Sequence, residues 1–246
     1  MQAELIIHEQ LRNVIAMTLL LIALPQSSMA AVSYGGSLAI TSDYLVRGIS
    51  RSNHDVSPQA DLHAAFGNGV DVGVFAASVQ TGPNHLHNTE VSGFVGFAKD
   101  IADEWHTRTV VNHYSYPWNR AGSQYDYDEL NLDVAFEQWL TFSAMYSPNA
   151  PHFLLDSGLI SVTEKSLAVS VQLPLTRQLS LNSGVGYAHL GGPYSDEYNY
   201  WATGGLYTLK SVSISLQYVG TTQGARQLYY DAAAHNRVAG TLIWRF

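Results

Sequence analysis

Apolar and polar residues alternate along most of the chain beyond residue 31, with the period of two that a strand imposes by sending successive side chains to opposite faces. In 57–66, Ala60, Leu62, Ala64 and Phe66 oppose Gln59, Asp61 and His63; in 126–136, Leu130, Leu132, Val134 and Phe136 oppose Glu129, Asn131, Asp133 and Ala135. Leu167, Val169, Val171 and Leu173 alternate with Ser166, Ala168, Ser170 and Gln172, and Val212, Ile214, Leu216 and Tyr218 with Ser211, Ser213, Ser215 and Gln217. The last segment follows suit, with Val238, Gly240, Leu242, Trp244 and Phe246 on one face and Arg237, Ala239, Thr241, Ile243 and Arg245 on the other. About twelve segments approach the roughly 9–11 residues of a tilted strand that crosses a bilayer. They are predicted at 34–44, 57–66, 70–80, 89–98, 104–115, 126–136, 138–147, 164–173, 178–189, 197–208, 210–220 and 235–246.

The links between them alternate in length. Short turns are predicted at Gly67–Gly69, Lys99–Asp103, Glu137, Pro174–Arg177 and Leu209, and longer polar links at 48–56, 81–88, 116–125, 147–163, 190–196 and 221–234. Short periplasmic turns and long extracellular loops characterise membrane barrels. The pattern therefore predicts an all-β fold, a single antiparallel transmembrane β-barrel of about twelve strands with both termini periplasmic. Trp105, Trp139, Tyr207 and Trp244 then fall near periplasmic strand ends, and Tyr44, Tyr114, Tyr146 and Tyr187 near outer ends, as interfacial girdles require.

The one long apolar run, Val14–Leu24, follows Arg12 and precedes small residues at Ser28 and Ala30. It is too short to span a bilayer and predicts a cleaved signal peptide over 1–30, exporting a barrel over 31–246. Glu4 and Glu9 are unusual in such a leader. The chain has no cysteine, 13% charged residues, 20 glycines and 15 tyrosines, a balance that favours strands and turns over helices. Its formal net charge of −8 offers nothing to nucleic acid. A bacterial outer membrane is the expected location, with membrane lipids and lipopolysaccharide as surroundings.

Ser42-Asp43-Tyr44-Leu45-Val46-Arg47-Gly48-Ile49-Ser50 resembles the S-D-Y-x-x-R-G-x-S signature of the Gcw_chp family of Gram-negative outer-membrane proteins of unassigned function. Every fixed position is matched: Ser42, Asp43, Tyr44, Arg47, Gly48 and Ser50. Looser agreement follows at Gly93–Gly96, Tyr114–Pro117 and Tyr127–Leu130, whereas His113 before the tyrosine motif is a departure. The resemblance implies an outer-membrane barrel and no established substrate. Trp244 and the final Phe246 similarly resemble the signal read by the outer-membrane assembly machinery, which makes that machinery an expected partner.

With Asp43 and Arg47 evenly spaced on a strand, the register turns Asp43, Arg47, Asp61, His63, Asp71, Glu90, Arg108, Glu129, Asp133, Arg237 and Arg245 into the lumen. An Asp43/Arg47 pair would brace the wall or shape the pore field, and Gly48 would free the chain to turn. Arg237 and Arg245 are expected to share the lumen with Asp43 and Arg47 across the closing seam. Twelve strands lie between barrels closed on packed side chains and wide aqueous pores. The preferred reading is a narrow, porin-like channel for small polar solutes, and its rival a non-conducting structural or adhesive barrel.

An enzymatic alternative is a lipid hydrolase. His113 and Ser115 share one strand face near the outer leaflet, which resembles outer-membrane phospholipase A, whose His-x-Ser pair faces lipid with an Asn orienting the base. A serine needs such a base, and the base an orienter, but Asn119 lies past Pro117 in the following loop. His85 and His87 lack a recognisable third metal ligand. No cofactor or metal motif is present, and no catalytic residue is assigned.

Overall fold

The computed structural model describes residues 32–81, 86–119, 122–154, 158–192, 196–229 and 233–246. The predicted leader lies outside these residues, as does His85; His87 sits in a strand opposite Gln80.

The alternating segments become β1 (Val32–Thr41), β4 (Ser57–Phe66), β5 (Val70–Thr81), β6 (Leu86–Ala102), β7 (Trp105–Ser115), β8 (Tyr127–Phe136), β9 (Leu140–Leu154), β10 (Gly158–Pro174), β11 (Leu179–Leu190), β12 (Asp196–Leu209), β13 (Val212–Thr221) and β14 (Arg237–Arg245). Two short strands, β2 (Leu45–Val46) and β3 (Ile49–Ser50), and a helix, α1 (Gln223–Leu228), lie in the links. The twelve long strands form a closed barrel in which each neighbours the next in sequence and β14 returns to β1. Closure pairs the backbone of every strand on both sides, which is what a wall without water on its outside requires.

Period two then separates the faces. Leu38, Ile40, Leu62, Val74, Val111, Leu130, Leu132, Leu167, Val185, Ile214, Leu216 and Leu242 point outward and are exposed, where a water-soluble sandwich would bury them. Cross-strand partners agree, with Leu38 opposite Trp244, Ile40 opposite Leu242 and Leu62 opposite Val74. No helix among the described residues is long and apolar enough to cross a membrane.

The seam between first and last strands is pinned by Phe246. Its N–H and C=O exchange bonds of 3.1 and 3.0 Å with Gly36. A Cβ on Gly36 would meet the Phe246 ring at 2.8 Å, Leu62 at 2.9 Å and the Asp61 carbonyl at 2.7 Å, so the missing side chain makes room for the ring at the seam.

Two predicted boundaries and one girdle placement are corrected. The link expected at 147–163 is instead a continuation of β9 and β10, whose partners run out to Leu154 opposite Gly158. Pro148 and Pro151 argue against a strand because each lacks a ladder donor. Here the β8–β9 ladder has stopped at Leu130 and Tyr146, the Asn149 side chain accepts the Asp128 N–H at 2.9 Å, and a bulge between Val162 and Glu164 absorbs the mismatch. The first strand ends at Thr41 rather than at 44, so Asp43 and Arg47 are not on it. Tyr44 and Tyr114 are not girdle residues either; both turn inward, while Tyr146 and Tyr187 do face outward. Tyr114 follows outward-facing His113, and parity alone sends it to the lumen.

A Gly36→Val substitution should lower barrel stability by about 1–3 kcal/mol, the usual cost of overpacking, read from the unfolding midpoint of detergent-refolded protein. An unchanged midpoint would show that the Phe246 ring contributes nothing at the seam.

Candidate functional site

The signature segment turns into the barrel instead of continuing its wall. After β1, Ser42 donates its N–H to the Gly240 carbonyl at 2.8 Å, and the chain enters a hairpin in which Leu45 pairs with Ser50 and Val46 with Ile49. Arg47 and Gly48 form its two-residue turn with φ of 50° and 81°. Two consecutive positive φ values match the twist of a tight hairpin, and this explains why a glycine follows the arginine. A Cβ at Gly48 would lie 2.5 Å from Thr221 Cγ2 on β13 and 3.0 Å from Tyr200 Cβ on β12, so the tip is seated against the inner face of the wall.

Asp43 anchors the base. Its carboxylate accepts the Ser50 hydroxyl at 2.5 Å and Arg237 Nη1 of β14 at 2.8 Å, with Ser52 Oγ at 3.1 Å. Ser52 in turn accepts the Tyr44 N–H at 2.9 Å. Asp43 thus joins the hairpin to the closing strand.

Arg47 serves the opposite end. Its Nη2 donates to Glu129 on β8 at 2.7 Å and its Nε to Glu164 on β10 at 2.8 Å. Both carboxylates are about 5% exposed. Burial by itself opposes the guanidinium charge, but Glu164 and Glu129 outweigh it and push the Arg47 pKa up. Arg51 stands one turn away. Its Nη2 donates to the Tyr127 hydroxyl at 3.2 Å, its Nη1 to Tyr116 at 3.4 Å, and its guanidinium lies 5.6 Å from the Tyr127 ring centroid. Glu90, 1% exposed, accepts Tyr44 at 3.0 Å and Tyr116 at 2.6 Å and lies 3.9 Å from Arg51. Burial, with Glu90 alongside, raises the Tyr116 pKa, so its hydroxyl stays a donor.

A second insert closes over the hairpin. Helix α1 follows β13, and Tyr229 sets its ring edge-on to Tyr198 at 5.8 Å and His152 at 5.5 Å. Ile49 of the hairpin joins Ala150, Val162, Ala188, Leu190, Tyr198, Ala225 and Ala234 in one apolar cluster. Between the inserts lies a cavity of about 190 Å³, bordered by Arg47, Arg51, Tyr116, Tyr127, Glu164 and Tyr229.

Toward the end that carries the termini the lumen changes character. One wall bears charge: Arg108 pairs with Asp71 at 2.6 Å and lies over Phe94, Asp61 pairs with His63 at 2.8 Å, and Asp133 accepts Ser143 at 2.6 Å. Across from it the inward positions are small, among them Ala168, Ser170, Gly184, Ala202 and Ser215, while Arg245 reaches Ser213 at 2.7 Å. Ser170 and Gln172 are open to solvent.

Of the residues proposed from sequence, Asp43, Arg47, Glu90, Glu129 and Arg237 gather in the loop-end network, and Asp61, His63, Asp71, Arg108, Asp133 and Arg245 line the other half. The reading of Asp43 and Arg47 as a mutual pair on one strand is corrected: Asp43 partners Arg237, and Arg47 partners two glutamates. Sequence reasoning missed Arg51 and Glu164. Arg51 falls in the link predicted at 48–56, although it directly follows the signature, and Glu164 is the first residue of the strand predicted at 164–173.

The His113/Ser115 pair faces outward, as the alternation requires. The orienter is not Asn119; Asp128 on neighbouring β8 holds His113 Nδ1 at 2.8 Å and is itself bonded by Asn149 at 3.2 Å. The Ser115 hydroxyl, however, points to the Val91 carbonyl at 3.4 Å. Among the described residues no cluster of His, Cys, Asp and Glu could hold a metal.

Arg47→Ala should destabilise the protein by about 3–5 kcal/mol, because it strands two buried carboxylates. Arg47→Lys should recover only part of the loss, since an ammonium lacks the fork that serves both. Unfolding midpoints in detergent decide this, and a full recovery by lysine would refute the two-carboxylate grip.

The closed barrel has counterparts of known structure. A NanC porin structure matches with a TM-score of 0.54 at 10% identity over 86% of this chain and 98% of that one. A KdgM porin matches with a TM-score of 0.51 at 8% identity over 86% and 99%, and a KdgM porin in complex with disordered oligogalacturonate with 0.50 at 9% over 88% and 99%. At such identities the likeness concerns the fold. No curated protein matches the sequence. Residues 25–244 match the family described as bacterial protein of unknown function (Gcw_chp), and the chain belongs to it.

Proposed function

We propose that this protein is an outer-membrane channel of narrow bore for small polar solutes, exported by a cleaved leader and set with its termini and short turns on the periplasmic side. The observation that carries the reading is the inversion of the barrel, apolar and exposed outside, charged and partly wet inside. An apolar outer wall is stable only against lipid, and a lumen lined by paired charges, serines and glycines suits water and polar solutes rather than apolar ones. The fold shared with proteins described as porins supports the same class. Outer-membrane lipids, lipopolysaccharide and the assembly machinery are its proposed surroundings and partners.

The narrowest region is the loop-end half, where the hairpin and α1 occupy the lumen. Three carboxylates, Glu90, Glu129 and Glu164, there face two guanidiniums, Arg47 and Arg51. That balance favours cationic or neutral solutes over anions. We read the protein as non-enzymatic, since a serine whose hydroxyl is bonded to a carbonyl rather than to His113 has no base to activate it.

Purified mature protein in a planar bilayer should give small, discrete conductance steps with a modest preference for cations. Arg108→Ala should move the reversal potential further toward cation selectivity by leaving Asp71 uncompensated, and an absence of steps at all voltages would count for a non-conducting barrel. Hydrolysis of a fluorogenic phospholipid, lost in His113→Ala, would establish the enzymatic alternative instead.

A further inference from the structure

We propose that the Tyr44–Arg51 hairpin is a hinged gate of this channel, with Asp43 at its hinge and Arg47 as its latch. The proposal rests on the channel reading and adds motion to it. Among the described residues the hairpin is tied to the wall by backbone bonds only at its base: Ser42 N–H to Gly240, and Gln80 N–H to the Arg51 carbonyl at 2.8 Å. Between these points its backbone pairs with itself, through Arg51 N–H to Tyr44 at 2.7 Å and the two facing pairs of β2 and β3. A two-stranded ribbon of this size is marginal alone, so its position depends on side-chain holds.

Those holds are unequal. At the base Asp43 is bound by Ser50 and Arg237, within a few residues of where the chain leaves and rejoins the wall. At the tip the polar hold among the described residues is one side chain, Arg47, whose fork bridges Glu129 and Glu164 on two different strands. Ile49 adds an apolar contact to the cluster under α1, and Gly48 rests on Thr221 without a side chain to lock it there. Rotation about the base would exchange a few tip contacts and leave the barrel ladder intact. Glu129 and Glu164 would remain on the wall of the vacated passage, where water and passing cations can solvate them. Such an element, anchored at one end and held at the other by one ion-pair fork among the described residues, is suited to switch as a gate does.

The chain has no cysteine, which makes a cross-link unambiguous. A Cβ at position 48 falls 2.5 Å from Thr221 Cγ2, so Gly48→Cys with Thr221→Cys sets two thiols within disulfide reach across the tip. The full mature chain carrying both changes is compared in planar bilayers oxidised and reduced, with Gly48→Ala/Thr221→Ser as the control for strain at a positive φ. A variant with Leu45–Ser50 replaced by two glycines removes the gate. A Glu129→Gln/Glu164→Gln variant weakens the latch, and its open fraction should rise roughly tenfold for each 1.4 kcal/mol of hold removed.

The gate predicts openings in the reduced protein, their loss on oxidation and their return with reductant, while the control ignores redox state. Equal conductance in both states overturns the gate and leaves the channel standing. Silence in both states with conduction in the hairpin-deleted variant makes the hairpin a fixed plug, which also overturns the gate. Silence in all of them, deletion included, overturns the channel reading itself and the gate with it.

Discussion

Everything in this molecule follows from one constraint, that a sheet whose outside is apolar must leave no backbone N–H or C=O unpaired at an edge. Closure of β14 on β1 satisfies it, and the seam is where it is hardest to satisfy because the two strands are farthest apart in sequence. Gly36 and Phe246 secure it with a reciprocal pair of backbone bonds and a ring laid over a position that has no side chain. The outward face is then free to be uniformly apolar. The consequence falls inside, where period two forces the alternate residues, half of every strand, into the lumen.

That enclosed polar surface makes charge pairing a structural necessity. Glu90, Glu129 and Glu164 come from three different strands and sit where water has little access. A buried carboxylate without a partner is costly, whereas one with a charged hydrogen bond is tolerable. The partners come from one short insert. Arg47, in a tight turn, and Arg51, four residues on, together engage three strands and a set of tyrosines. The segment that most resembles a family signature is therefore the one on which the loop-end half of the lumen converges.

The barrel was legible in sequence because its rule is local: parity, strand length and turn length repeat for each hairpin, and β4, β5, β7 and β8 fall within a residue or so of their predicted ends. The misread parts obey rules that parity does not contain. Pro148 and Pro151 signal a break, yet a side-chain amide and a bulge carry the hairpin past them. Asp43 and Arg47 are four apart and would share a strand face, but a pair of left-handed residues at 47 and 48 turns the chain back, and only Gly48 hints at this. Arg51 was missed because a link looks like solvent, while here that link folds inward; Glu164 stands at the first position of its predicted strand, beside a bulge that parity does not contain. Asp128 was missed as the partner of His113 because cross-strand neighbours depend on register, which spacing along the chain does not reveal.

On the channel reading, the two halves of the lumen divide the work between them. At the terminus end, a charged wall from β4 to β8 faces a wall of small residues, which leaves width on one side and ordered charge on the other. Pairs such as Arg108–Asp71 hold their charges fixed along that wall, so a passing ion meets alternating sign rather than one deep well. At the loop end, the inserts fill the width and leave a small cavity between guanidiniums, carboxylates and tyrosine hydroxyls. On the channel reading, resistance and selectivity therefore reside in the same few ångströms. A change in the hairpin alters both at once, whereas a change among the small residues of β10 to β13 alters only the width of an approach that is already open.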